Sequence, residues 1–107
     1  MIVPLIDFVA SLDFLSPAEG GRVLPVASGY RPQFHLGGAS ADCRLHFEEE
    51  GALPTGRVYR AIVQLMYPER FGEALRPGAN FTIREASRIY ARGIIEHMSN
   101  IPLPSGR

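Results

Sequence analysis

RVYRAIVQLMY, residues 57–67, is the stretch that decides the fold. Tyr59, Ala61, Val63, Leu65 and Tyr67 alternate with Val58, Arg60, Ile62, Gln64 and Met66. A period of two, not 3.6, sets the first group on one face of an extended chain. The β-branched and aromatic content favours a strand over a helix. Working outward, residues 6–14 repeat the pattern: Ile6, Phe8, Ala10, Leu12 and Phe14 face one way, Asp7, Val9, Ser11 and Asp13 the other. Residues 42–47 set Cys43, Leu45 and Phe47 against Asp42, Arg44 and His46. Residues 31–36 form a further strand, closed by Gly37-Gly38.

Residues 80–85 and 88–98 read as a hairpin pair. Across a two-residue turn Glu85 would face Arg88, a favourable cross-strand charge pair. Neither Ala86 nor Ser87 suits a positive φ, so a longer or bulged turn is expected. Between the strands, Pro17–Gly21 is a turn and 22–29 is irregular, with Pro25 withholding a ladder donor. Residues 48–56 form an acidic, solvated loop, and 68–78 a polar loop with room for a helical turn. Six or so strands with short connections and no long helix leave an all-β sandwich or a closed barrel. The expected organisation is one domain over residues 1–99 and a loose tail over 100–107, which carries two prolines and a Ser-Gly pair.

The length, 107 residues, suits one domain. Apolar residues make up 46% of it, enough for a core without cross-links. Charge is balanced at 11 basic and 11 acidic side chains, which argues against a non-specific polyanion binder but allows a local basic patch. Every basic residue is Arg. Codon bias explains that simply, while Arg's planar fork is also what phosphate and carboxylate recognition uses. Cys43 stands alone, so no internal disulfide forms. The apolar N-terminus is broken by Pro4, Asp7 and Asp13, unlike a signal peptide or membrane span.

Sites of chemistry are sparse. With no lysine, a GxxxxGK[ST] nucleotide loop is impossible, so no nucleotide is expected on this chain. Cys43 and His46 form a lone CxxH, which a strand would point to opposite faces; no metal is expected there. Ser28, Ser40, His35, His46, His97 and the three aspartates, Asp7, Asp13 and Asp42, supply the parts of a hydrolytic triad, but without a GxSxG elbow. The chain reads as no enzyme, with no catalytic residue and no cofactor. The densest cluster is Gly29-Tyr30-Arg31-Pro32-Gln33-Phe34. Tyr30, Arg31 and Gln33 combine a stacking ring with polar donors, suited to RNA or a protein interface.

EGGR (19–22), SGYRPQF (28–34), LPTG (53–56), LMYP (65–68) and FTIRE (81–85) followed by Arg88 resemble, in order and spacing, the C-terminal, third domain of elongation factor Tu. The resemblance runs from about Leu5 to Met98. It implies a six-stranded antiparallel β-barrel without a catalytic residue. It also implies contacts with the T-stem backbone of aminoacyl-tRNA, with a translation GTPase domain and with a nucleotide-exchange factor. Arg22 and Gln33 match positions that touch the T-stem in that family. Two departures stand out. Ala86-Ser87 replaces a glycine pair that lets the RNA backbone approach closely, and Gly37-Gly38-Ala39-Ser40 replaces a polar, threonine-rich stretch.

Three functional readings follow. The first is a cytoplasmic protein-interaction module linked to translation, docking a GTPase or exchange factor. The second is a tRNA- or RNA-binding domain using arginines on phosphates. The third is a hydrolase or metal enzyme. The residues expected to meet a partner or RNA are Arg22, Tyr30, Arg31, Gln33 and Arg88.

Overall fold

The computed structural model describes residues 6–99; the expected tail, 100–107, lies outside the described residues. Six strands make one closed antiparallel barrel: β1 (Ile6–Phe14), β2 (Gln33–Leu36), β3 (Ala39–Phe47), β4 (Val58–Leu65), β5 (Asn80–Glu85) and β6 (Arg88–Ser99). Their order around the barrel is β1-β4-β3-β2-β5-β6, with β6 closing on β1. Closure leaves no unpaired sheet edge. Three 3₁₀ turns, Pro17–Glu19, Pro68–Arg70 and Gly72–Ala74, occupy the expected turn and the helical part of the polar loop. Among the described residues no helix is long and apolar enough to cross a membrane.

The alternation read from the sequence becomes the inside and outside of this barrel. Phe8, Ala10, Leu12 and Phe14 of β1 and Tyr59, Ala61, Val63 and Leu65 of β4 are all buried. Their strands pair from Ile6↔Leu65 to Asp13↔Val58 without a slip. Such a slip would turn every apolar side chain to water, so the pattern itself pins the register. Two groups of rings fill the interior. Phe34 packs on Phe8, Phe71 and Phe81 with centroids 5.6, 5.1 and 4.7 Å away. Phe14, Phe47 and Tyr59 form the second group, with centroids 5.9–6.2 Å apart. Phe8 and Phe14 lie six steps apart on β1, about 20 Å by strand rise, so the groups fill different levels of the barrel.

Strand limits differ from the sequence reading for local reasons. β2 starts at Gln33, not residue 31, because Pro32 has no N–H to give; its carbonyl still accepts from Cys43 N at 3.0 Å. β3 starts early, at Ala39, because Gly37 and Gly38, at φ 58° and 86°, close the β2–β3 hairpin in two residues. β4 stops at Leu65, and Tyr67 then takes φ 53°. The β5–β6 turn is two residues after all, with Glu85 paired to Arg88. Ala86 accepts φ 54°, and the expected bulge sits inside the hairpin, between Ile83 and Arg84.

Candidate interaction surface

Residues 15–32 cross one end of the barrel, held by two isolated bridges, Val26↔Leu53 and Tyr30↔Leu45. Arg22 rides on this segment. Thr55 Oγ1 donates to its carbonyl at 2.8 Å, fixing the backbone. Its Nε donates to Leu24 O at 3.2 Å, and its guanidinium lies over the Tyr30 ring, 5.0 Å from the centroid. The terminal nitrogen forms an ion pair with Glu85, at the end of β5. Tyr30 donates its hydroxyl to the same Glu85 oxygen. One carboxylate therefore ties the end-crossing segment to β5.

This clamp changes the roles read from the sequence. Tyr30 is not an exposed ring offered to a partner: it is half-buried and packs on the core. Burial first, and the Glu85 carboxylate next, push its phenol far above the ordinary value of 10. Arg22 keeps 24% of its side-chain surface and spends its charge on Glu85. Glu85 faces Arg88 in register, as expected, yet its oxygen serves Arg22 and Tyr30, 63 and 55 residues away in sequence. Gln33 is exposed opposite Arg84, and Arg88 is exposed at the hairpin end. Arg31 is exposed too, and among the described residues neither Arg31 nor Arg88 enters an ion pair. Four expected residues thus gather around the end of β5: Arg22 and Tyr30 on Glu85, Arg88 opposite it, and Gln33 one rung away. Arg31 is joined to the group only by its neighbours in sequence.

The remaining chemical candidates lie apart. Cys43 faces the core and His46 the outside, where its Nε2 is 2.9 Å from Gln64 Oε1. Burial pushes the Cys43 thiol up to about 12, far from a reactive thiolate. Ser28 Oγ accepts the Phe47 backbone N–H at 2.9 Å, a structural task.

An apolar surface escaped the sequence reading. Val23 and Leu24, next to Arg22, are 79% and 65% exposed. Val23 lines an open groove of about 460 Å³ with Pro17, Pro25, Ala52 and Pro54. No periodicity marks this run, because it lies in an irregular segment whose bridge partners, Leu53 for Val26 and Leu45 for Tyr30, are distant in sequence.

The closed barrel and its strand order define a small all-β barrel domain. The family model for the elongation factor Tu C-terminal domain matches residues 1–99, and the chain belongs to that family. It is 35% identical over 94 residues to elongation factor Tu 2 of Streptomyces avermitilis, covering 88% of this chain and 23% of that protein. The chain thus spans about a quarter of the length of this relative.

Proposed function

We propose that this chain is a non-catalytic docking module of the translation machinery, acting in the cytoplasm, and that its partner is a protein, a translation GTPase or its exchange factor. The observation that carries this reading is the Val23-Leu24 run, exposed beside a rigid clamp. Unpaired apolar side chains rimmed by polar residues are what protein interfaces use. Arg22, which the resemblance would set against an RNA backbone, is already paired with Glu85. Ala86 and Ser87 are both exposed, so side chains stand where a close-approaching RNA backbone needs glycine.

The test is a binding titration of the full chain against the purified elongation factor and exchange factor of the source cell. Binding should fall at least about tenfold in V23D/L24D, since central apolar anchors carry most of an interface's energy. Thermal unfolding should stay unchanged. Binding that ignores the double substitution refutes the reading.

A second reading, RNA binding, is favoured by the exposed Arg31 and Arg88, which have no acidic partner among the described residues. A tRNA titration at two salt concentrations separates the two. Under the RNA reading affinity collapses with salt, and removing one phosphate-contacting arginine flattens the slope by about one.

A further inference from the structure

On the outer face of the barrel, away from the interior rings, His35 of β2, Thr82 of β5 and Arg92 of β6 form one cross-strand row, paired His35↔Thr82 and Thr82↔Arg92. Directly opposed side chains on one face stand about 5 Å apart at their bases. Arg84, two residues along β5 from Thr82, shares their face, as does Asn80 on the other side. These five residues line an open groove of about 690 Å³ whose lining, among the described residues, includes no carboxylate.

We propose that this groove binds a phosphomonoester dianion, gripped by Arg84 and Arg92 with Asn80, Thr82 and His35 as neutral partners. Neither arginine forms an ion pair among the described residues. Arg84 Nε donates to Thr82 Oγ1 at 2.9 Å, which aims the guanidinium while leaving its two terminal nitrogens for a ligand. Thr82 accepts there, so its own O–H proton is available to the same ligand. Asp13 of β1 stands opposite Arg92 in the ladder, though the two form no ion pair among the described residues, and the Glu19 carboxyl is lowered first by Ser16 and only last by Arg92. His35 is held below its ordinary value by burial and by the Arg84 guanidinium, so the groove is already positive without it. Its Nε2 lies 3.4 Å from Gln33 Oε1, too long a contact to hold the ring against a better partner.

The chemistry selects a compact dianion over a polyanion. Two arginines on adjacent strands match one phosphate in charge, whereas tracking a nucleic-acid backbone takes a longer stripe of cations than a neutral chain supplies. The volume is that of a small-molecule site. The proposal is independent of the docking surface, since Val23 and Leu24 line no part of this groove.

The experiment is an amide chemical-shift titration of the full chain with inorganic phosphate and with glycerol phosphate, each against sodium chloride at matched ionic strength. Saturable shifts centred on residues 35, 80, 82, 84 and 92 are expected. If both compounds bind equally, the phosphate group alone is read; if the ester binds more tightly, the groove also reads what the phosphate is attached to. R92Q and R84Q should each weaken binding by about tenfold or more, the size of one charge-assisted contact. Arg92 is exposed, so R92Q keeps its unfolding temperature and remains informative if R84Q folds poorly. Shifts that follow salt alone, or affinity unchanged in R92Q, overturn the proposal. So does a short RNA duplex that engages the row when neither phosphate compound does.

Discussion

Replacing Tyr30 by Phe removes one oxygen and tests the clamp at its Tyr30–Glu85 contact. The ring remains, with its place on the core and under Arg22. What is lost is a hydroxyl donated to a carboxylate, in a half-buried position. A hydrogen bond to a charged group contributes about 1.5–3 kcal/mol, and partial exposure of Glu85 places the loss near the lower end, about 1–2 kcal/mol. Urea unfolding at pH 7 should show a lower midpoint with an unchanged slope.

The pH dependence supplies a second, sharper reading of the same substitution. The folded chain holds the Tyr30 phenol protonated well above 10, while the unfolded chain releases that proton near 10. Above pH 10 the unfolded state therefore binds fewer protons than the folded state, and stability falls as pH rises. The Tyr30 contribution is complete below pH 10 and is lost progressively above it, at up to about 1.4 kcal/mol per pH unit. In Y30F that component is absent, so the stability gap between the two proteins narrows between pH 10 and 11. A gap that stays constant across this window, or no loss at pH 7, would refute the clamp as a stabilising unit.

Further outcomes follow from other positions. Ala86→Gly should stabilise by about 0.5–1 kcal/mol, because a left-handed conformation costs an alanine about 1–2 kcal/mol and glycine returns part of that as chain entropy; the midpoint of urea unfolding reads it. Gly93→Ala should destabilise by about 1–3 kcal/mol, since a Cβ there would lie 2.3 Å from Phe81 Cζ, and that ring is wedged against Phe34 and Phe8. Phe81→Leu in the same chain should recover part of that loss, seen as a non-additive double-mutant cycle. Cys43 should react with a thiol reagent only at the rate of global opening at neutral pH, because it is 2% exposed and its thiolate is disfavoured.

The strands were legible because each has one wet and one dry face. β1, β3 and β4 announce themselves through Phe8 to Phe14, Cys43 to Phe47 and Tyr59 to Leu65, which all point inward as the period of two requires. The order of strands was not legible from that pattern: β1 against β4 and β2 against β5 are long-range pairings on which periodicity is silent, and only the resemblance chose the barrel over a sandwich. Propensity misled at Ala86-Ser87. There the ladder on either side fixes Glu85 against Arg88, and the bulge at Ile83/Arg84 absorbs the twist, so the turn takes alanine at a position glycine prefers. Glu85 itself was read through its hairpin neighbour. Its partners, Arg22 and Tyr30, come from a segment with no regular structure, and no local rule links them.

A zero net charge excludes less than it first implied, because the fold commits its charges unevenly. Among the described residues Arg22 is paired with Glu85, and Arg60 sits between Glu48 and Glu96. Arg70 donates to Ser40 O at 3.0 Å and covers the Tyr67 ring. Glu49 and Glu50 are exposed in the acidic loop between β3 and β4, and β5 and β6 lie on the far side of β2 or β1 from that pair of strands. Among the described residues Arg84, Arg88 and Arg92, on those two strands, enter no ion pair, although Glu85 and Asp13 stand opposite Arg88 and Arg92 in the ladder. The arginines that hold the barrel end together and those able to meet an anion are therefore different residues. Substituting Arg22 should be read first as a test of stability, and substituting Arg84 or Arg92 as a test of binding.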